Sequence, residues 1–345
     1  MITLTKASEE TKEILKWGGL FIAGLFVFFI FLKIVLFLKD TFFPTPPPKP
    51  TVAFGKLPAQ IFPENATKQK LTYSLDTVSG NLPSLKTQVK IYETVQPQSN
   101  LLSLSRTGAM VAQIGFSSNP IQLSTRTYEW KNSSGEDIKI DIVNNNFVFS
   151  YPYLSDQNIL SSVNVSPSMA IGAVSNMLNL MQMFPDDIDQ SKIKTESYSI
   201  SNNNLAPSTS LSNTQIVKVS LIQKDIDGLP VYYENPNSSS MNFLVGAQNS
   251  EGKVVSASFL HQALSNQYST YPLKTAQQAY DDLQKGNGYI ASYYGQSANV
   301  VINNIFLAYY IGGGLQNFVM PVVVFQGDNG FYAYVPAVTD EWIGK

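Results

Sequence analysis

The chain has 345 residues, of which 44% are hydrophobic and 14% are charged, with a formal net charge of −2, one histidine and no cysteine. A near-neutral chain lacks the dense positive charge that phosphate binding requires, so nucleic acid is not an expected partner. The absence of cysteine excludes disulfides and thiolate metal sites, and a single histidine excludes sites that need two imidazoles. We therefore expect a protein that is not an enzyme and that uses no metal and no cofactor.

The first predicted element is an apolar helix over residues 17–38. About 22 residues at 1.5 Å each reach roughly 33 Å, enough to span a hydrocarbon core of about 30 Å. Lys33 is the one charged residue of the run, and its long side chain can extend to the headgroups beside Lys39. The run is longer than the hydrophobic region of most signal peptides, so we predict an uncleaved anchor in contact with membrane lipid. Its marker residues are Trp17, Phe21, Phe26, Phe28, Phe29, Phe31, Lys33 and Leu38.

The flanks of this helix predict the arrangement at the membrane. Lysines lie on both sides of it, so the positive-inside rule discriminates weakly between orientations. The remaining chain is rich in Asn, Ser, Thr, Gln and Tyr, which favours a short cytoplasmic tail (1–16), a transmembrane helix (17–39) and a large domain outside a bacterial cell membrane. The prolines between Pro44 and Pro50 predict a polyproline II stalk within residues 40–58, in preference to a ligand for an SH3-like domain.

Beyond the stalk, three predicted helices alternate with strands. The first covers residues 99–114, the second starts with Ser166 as N-cap and Pro167 at the first helical position, and the third starts with a T-x-x-Q capping box at Thr275. Strands are predicted at 71–75, 87–95, 125–130, 138–143, 147–151, 192–200, 216–223, 229–233, 241–246, 254–259, 300–310, 318–326 and 331–338. Turns are predicted at Asp227-Gly228, Glu251-Gly252 and Asp328-Asn329-Gly330.

Each helix precedes a run of strands, which is the pattern of a helix packed on an antiparallel sheet. The predicted fold class is therefore α+β, with three tandem helix-on-sheet units at 59–160, 161–265 and 266–345.

Part of this pattern resembles a known family. The stretch KVSLIQKDIDGLPVYY from Lys218, followed by NSEGKVVSASF and YPLKTAQQAYDDLQKG, is similar to PepSY-type modules and to the extracytoplasmic domains of YycH/YycI-type two-component regulators. The resemblance covers about residues 100–340, and its residues are Asp227, Gly228, Pro230, Val231, Gly252, Lys253, Thr275, Ala276, Ala279 and Pro321. It implies tandem PepSY-like units that bind or regulate outside the membrane. YycH/YycI-type proteins restrain a partner membrane kinase, and PepSY modules are linked to peptidase inhibition.

The residues with chemical potential each have an ordinary structural explanation. His261 could serve as a general base, but no G-x-S-x-G motif accompanies it, so a polar residue at a strand end is expected. Asp186, Asp187 and Asp189 could bind Ca²⁺, but they lack the D-x-D-x-D-G order, so a solvated loop is expected. Asp225 and Asp227 could be a glycosidase pair, although their spacing is typical of a turn.

A group of methionines, a run of glycines and a group of tyrosines also allow more than one interpretation. Met177, Met181 and Met183 could form an adaptable binding face, but their helical spacing favours a core. The glycines at 312–314 predict a flexible connector rather than a phosphate loop. A glycan or peptide platform could be formed by Tyr289, Tyr293, Tyr294, Tyr309 and Tyr310.

The sequence thus predicts a single-pass, membrane-anchored, extracytoplasmic binding or structural module with an unidentified protein partner in the cell envelope. The alternative is a regulator of a membrane sensor kinase or peptidase, and a hydrolase of envelope polymers is a third, less favoured hypothesis.

Overall fold

The computed structural model describes residues 4–42, 48–78 and 80–344. The chain divides into two compact units, Met1–Lys49 and Pro50–Lys345. It is an α+β protein, in which an N-terminal apolar helix is followed by a large domain rich in strands.

The helix of the first unit, α1, spans Leu4–Phe42. Its segment Leu15–Leu38, 24 residues long, is long and apolar enough to cross a membrane. Every side chain from 15 to 38 is exposed, so the apolar surface of this segment is free to contact lipid. All eight residues named above as anchor markers lie within it.

The residues predicted to form the stalk divide between the two units. Positions 43–47 lie outside the described residues. Further on, the Val52 amide donates to the Thr270 carbonyl at 3.0 Å, and Leu57 is fully buried with its amide donating to the Trp342 carbonyl at 2.8 Å. Residues 52–57 therefore pack as part of the second unit and are not an extended spacer, because burying Leu57 stabilises the packed state.

The second unit contains helices α2 (Ser103–Ala112), α3 (Gln157–Ser161), α4 (Pro167–Leu180) and α5 (Ala276–Gln284). Its strands are β1 (Thr72–Leu75), β2 (Gln88–Thr94), β3 (Ile121–Gln122), β4 (Thr127–Lys131), β5 (Asp137–Asp141), β6 (Phe147–Ser150), β7 (Lys194–Ser201), β8 (Asn204–Pro207), β9 (Ile216–Ser220), β10 (Val231–Tyr233), β11 (Met241–Gln248), β12 (Glu251–Phe259), β13 (Leu264–Pro272), β14 (Tyr289–Ser292), β15 (Asn299–Ile311), β16 (Phe318–Gly327) and β17 (Phe331–Pro336). They form two sheets, which we call the central sheet and the terminal sheet.

The central sheet has nine strands in the order β3-β4-β5-β6-β12-β11-β9-β7-β8, and every pair in it is antiparallel. Helix α4 packs on β9, β11 and β12 and buries Ala170, Val174, Met177 and Leu178. The α3 helix packs on β11, and its Ile159 belongs to a separate small cluster with Ile216 and Val255.

The terminal sheet has eight strands and is mixed. Along its main path the order is β1-β15-β16-β17-β14, while β10 also pairs with β15, and β2 pairs with both β13 and β16. Both β1 and β10 run parallel to β15, although the sequence predicted antiparallel runs. Helix α5 packs against β17 over the largest buried cluster of the chain.

The two sheets divide the chain differently from the three predicted units. From the first predicted unit, β1 and β2 lie in the terminal sheet, whereas β3 to β6 lie in the central sheet. Strand β10, from the second predicted unit, also lies in the terminal sheet. The pairing of β1 with β15 joins residues more than 200 positions apart. Local hydrophobic periodicity does not predict contacts at such separations.

The sequence signals for helix caps and for one hairpin turn are confirmed at single residues, and one predicted turn is displaced. The Ser166 hydroxyl accepts a hydrogen bond from the Met169 amide, and Thr275 and Gln278 make the reciprocal capping box at the start of α5. Asn329 and Gly330 join β16 to β17 with φ of 53° and 65°, as a tight hairpin turn requires. The turn predicted at Glu251-Gly252 lies instead at Asn249-Ser250, both with positive φ. Gly252 is inside β12.

Candidate functional site

The candidate site is a cleft beside the loop between β15 and β16, residues 312–317. Two cavities of about 290 and 250 Å³ open along this loop and along the β5–β6 turn of the central sheet, residues 142–146. Asn144, Gln262 and Leu315 line both cavities. We call the two cavities together the inter-sheet cleft, because one wall comes from each sheet.

The floor of the inter-sheet cleft is a buried network of amide groups. Gln262 is 6% exposed, and its Nε2 donates to the Gly314 carbonyl, which holds the loop against the segment after β12. Its Oε1 is buried and has no hydrogen-bond partner among the described residues. The Gln262 carbonyl accepts from Gln223 Nε2 at 3.1 Å, and the Gln223 amide donates to the Tyr233 hydroxyl at 3.0 Å. Burial raises the pKa of Tyr233, so its hydroxyl stays neutral.

His261 enters the same network beside the cleft. Its Nε2 lies 2.9 Å from Asp187 Oδ1, and its backbone amide donates to Asn146 Oδ1 at 3.0 Å. Burial by itself would raise the pKa of the Asp187 carboxyl, but the hydrogen bond and charge of His261, with a bond from Gln223 Nε2 at 2.8 Å, hold that pKa below its ordinary value. In the described part of the chain, no serine or threonine hydroxyl hydrogen-bonds to His261. The pair orients the imidazole and the segment that carries it.

Two cations lie on the rim of the cleft. Arg126 is 44% exposed and pairs with Asp141 at 3.0 Å. Lys139 is 49% exposed and lies 3.6 Å from Glu129 Oε1. Glu129 also pairs with Lys131 at 3.3 Å, so three cations lie beside two carboxylates and the surplus charge of this region is positive.

Apolar side chains also border the cleft. Val95, Val148 and Leu315 are 48%, 50% and 58% exposed, and they line the two cavities. Phe147 lines it too, but is 1% exposed and belongs to the central-sheet core. Apolar surface beside unpaired polar groups is typical of a recognition site.

The three acids considered as calcium ligands, for which a solvated loop was expected, are not brought together. Asp187 faces His261, while the Asp189 carboxylate accepts from Ser191 and caps a short 3₁₀ turn. Asp186 is exposed. The described residues contain no group of three His, Asp or Glu side chains that could hold a metal ion. Of the three acids, Asp189 caps a turn and Asp187 is held by His261 and Gln223.

The two acids of the predicted turn also separate. Asp225 pairs with Lys192 at 2.5 Å, and Asp227 pairs with Lys90 at 3.3 Å. Asp227 and Gly228 have φ of 51° and 75°, as a tight turn requires. Asp227 and Gly228 therefore form the tight turn before β10.

The other family-like residues have packing roles. The Pro230 carbonyl accepts from the Tyr309 amide at 2.9 Å, which aligns Val231 and β10 with β15, and the Pro321 carbonyl accepts from the Ala337 amide at 3.1 Å. Lys253 Nζ lies 3.8 Å from the centre of the Tyr151 ring. The start of α5 is formed by Thr275, Ala276 and Ala279. None of these ten residues lines the inter-sheet cleft.

The five tyrosines considered as a glycan or peptide platform do not form one surface. Tyr309 and Tyr310 are fully buried on opposite sides of β15, Tyr289 is 6% exposed, and Tyr294 is 70% exposed. Met177 and Met181 are buried in the central-sheet core, and Met183 packs against it, as helical spacing predicted.

Sequence reasoning did not identify the cleft residues as a site. Asn144, Asn145 and Asn146 fall between two predicted strands, and the glycines at 312–314 are predicted as a connector; in the structure both segments connect neighbouring strands. Their meeting depends on pairing between distant strands. The one signal available was the concentration of amides and glycines at two predicted connections.

Comparison with known proteins gives a modest likeness to two solved structures. No protein-family model and no curated protein matches the chain. An uncharacterized protein from Eubacterium rectale aligns with a TM-score of 0.39 and 13% identity, over 82% of this chain and 93% of that one. The Bacillus megaterium YpeB C-terminal domain aligns with a TM-score of 0.34 and 12% identity, over 71% of this chain and 95% of that domain. At these scores neither likeness carries a functional conclusion.

Proposed function

We propose that this chain is a single-pass, membrane-anchored, extracytoplasmic module of a bacterial cell envelope, and that it binds a protein partner in the inter-sheet cleft without catalysing a reaction. The observation that carries the proposal is the combination, along the inter-sheet cleft, of exposed Val95, Val148 and Leu315 with the buried, unpartnered Gln262 Oε1. Apolar contacts supply affinity at such a site, and unpaired polar groups supply specificity.

Two further features support this function. The exposed apolar segment Leu15–Leu38 suits an anchor, which would hold the second unit at a membrane surface. The resemblance of residues 100–340 to PepSY-type and YycH/YycI-type domains favours binding or regulation over catalysis. A regulator of a membrane sensor kinase or peptidase is the alternative, and the identity of the partner distinguishes the two.

The test is partner recovery from detergent-solubilised membranes with the full chain as bait. L315D places a charge on the apolar rim and is expected to lower recovery of the partner by about tenfold or more, because a buried charge without a partner is costly at an interface. The matched control is L211D, since Leu211 is 51% exposed and lies on a 3₁₀ turn outside the cleft.

Equal recovery by both variants would place the partner surface elsewhere. Repeated recovery of the bait alone would remove the binding function. Recovery of a kinase or a peptidase would favour the regulatory alternative.

A further inference from the structure

We infer that the inter-sheet cleft takes an extended peptide segment that carries acidic and apolar side chains. This inference rests on the proposed function and specifies the chemical class of the ligand. Its basis is the balance of hydrogen-bond donors and acceptors, the charge of the rim and the type of apolar surface.

The cleft offers more free donors than free acceptors. Within the described residues, the side-chain nitrogens of Asn144, Asn145, Asn146 and Gln316 donate no hydrogen bond to another protein group, while their oxygens accept from Asn146 N, Thr107 Oγ1, His261 N and Gly312 N. Gln262 Oε1 is one acceptor left without a partner. A ligand rich in carbonyl or carboxylate oxygens fits this set of donors, and a peptide backbone supplies a carbonyl at every residue.

The charge of the rim favours an acidic peptide segment over a basic one. Arg126 and Lys139 line the cleft, and with the nearby Lys131 they carry three positive charges, against two negative charges on Asp141 and Glu129, with which they pair. Asp187 faces His261 on the inner side, where its carboxylate is already bonded to His261 and Gln223. An acidic segment therefore meets a net attractive rim, whereas a basic one meets two like charges.

The apolar surface favours a peptide over a sugar. Apart from the His261 imidazole, the only aromatic ring among the described residues lining the cleft is Phe147, and it is 1% exposed. A sugar face needs an accessible aromatic ring to stack on, whereas Val95, Val148 and Leu315 suit aliphatic side chains. In an extended peptide, alternate side chains point to opposite sides, so apolar residues can contact this rim while acidic residues contact the cations.

The experiment measures binding of labelled peptides to the full chain in detergent, with empty micelles as the blank. The probes are a peptide of alternating Glu and Val, the same peptide with Lys in place of Glu, and chitohexaose. At low salt the Glu peptide is expected to bind at least about ten times more tightly than the Lys peptide. High salt should reduce this ratio of dissociation constants, because it screens the rim charges.

Paired variants locate the binding. R126Q is expected to weaken binding of the Glu peptide by about threefold to tenfold, as the loss of one rim charge pair implies. K192Q is the matched control, because Lys192 is 40% exposed and also pairs with an aspartate, but lies outside the cleft. L315D should abolish binding of the Glu peptide, and unchanged circular dichroism would show that each variant is folded.

The outcomes separate this inference from the function on which it rests. Tighter binding of the Lys peptide, lost in L315D, would overturn the acidic character of the ligand, and tighter binding of chitohexaose would overturn the peptide class. Either result would leave the cleft as a binding site. Failure of the Glu peptide to bind, while partner recovery still depends on Leu315, would have the same meaning. Binding of the Glu peptide that neither R126Q nor L315D changes would place it elsewhere and overturn the inference.

Discussion

At the scale of single residues, Asp187 shows how one carboxylate joins distant parts of the chain. Its oxygens contact His261 Nε2 at 2.9 Å and Gln223 Nε2 at 2.8 Å, and its backbone carbonyl accepts from the Lys224 amide at 2.7 Å. Burial by itself would raise the pKa of this carboxyl, but the two side-chain bonds, from His261 and Gln223, stabilise its ionised form and hold the pKa below its ordinary value.

The first prediction concerns acid stability. A carboxyl whose pKa is lower in the folded state than in the unfolded state, where it is about 3.9, stabilises the fold fully above that value. The contribution disappears as the pH falls from about 5 through the depressed folded pKa. D187N should lower the free energy of unfolding by about 1 kcal/mol at pH 7 and should reduce its dependence on acid. Urea unfolding at several pH values measures both effects.

The control for that experiment is D186N. Asp186 is the adjacent residue and is exposed, so this variant should unfold like the wild type across the same pH range. Equal acid dependence in D187N and the wild type would show that the contact between Asp187 and His261 does not stabilise the fold.

At the scale of elements, the contact between α4 and β12 explains a glycine that the sequence assigned to a turn. A Cβ on Gly252 would lie 2.9 Å from Ala173 Cβ and 3.0 Å from the Met169 carbonyl oxygen, both on α4. The missing side chain is therefore what allows the helix to approach the strand so closely.

The second prediction follows from this close approach. G252A should lower the free energy of unfolding by about 1–3 kcal/mol, because the helix backbone must shift to admit the new methyl group. Gly172 lies in the same helix, is exposed and has no atom within 4 Å of an added Cβ. G172A should therefore raise the free energy of unfolding by up to about 1 kcal/mol. Denaturant midpoints compare the two variants. A loss of the same size in both would mean that helix propensity, not packing on β12, decides the effect.

At the scale of the whole molecule, the proposed anchor determines where the inter-sheet cleft can act. Leu15–Leu38 is one apolar segment near the N-terminus, and the second unit begins at Pro50. A helix of this length in lipid would place the two flanks on opposite sides of the bilayer.

The third prediction tests that topology. Because the chain has no cysteine, single cysteines introduced at Ser8 and Ser134 can be labelled without background. Ser134 is exposed in the β4–β5 turn. A membrane-impermeant maleimide added to intact cells should label S134C and not S8C, whereas both should react after the membrane is permeabilised. Labelling of S8C alone would reverse the orientation, and release of the chain by alkaline carbonate would contradict the anchor.

Local chemistry determined which elements could be predicted from the sequence. The Thr275 capping box, the Ser166 cap and the Asn329-Gly330 turn each depend on residues within three positions, so their patterns predict geometry directly. The strand β13, with its polar stretch Ser265-Asn266-Gln267, was not predicted, because its place is set by pairing with β2 rather than by its own alternation.

An apolar helix near the N-terminus, an α+β domain after it and the positions of most helices and turns could be predicted from the sequence. Hydrophobic length, caps and turn residues act over a few positions and do not require the rest of the chain. The folded structure was needed to show that β1 and β10 pair with β15 in parallel, that Asp187 contacts His261, and that the loop at 312–317 meets the turn at 142–146. Those contacts form between residues far apart in the chain, because burying the faces of two sheets selects pairings that no local pattern encodes.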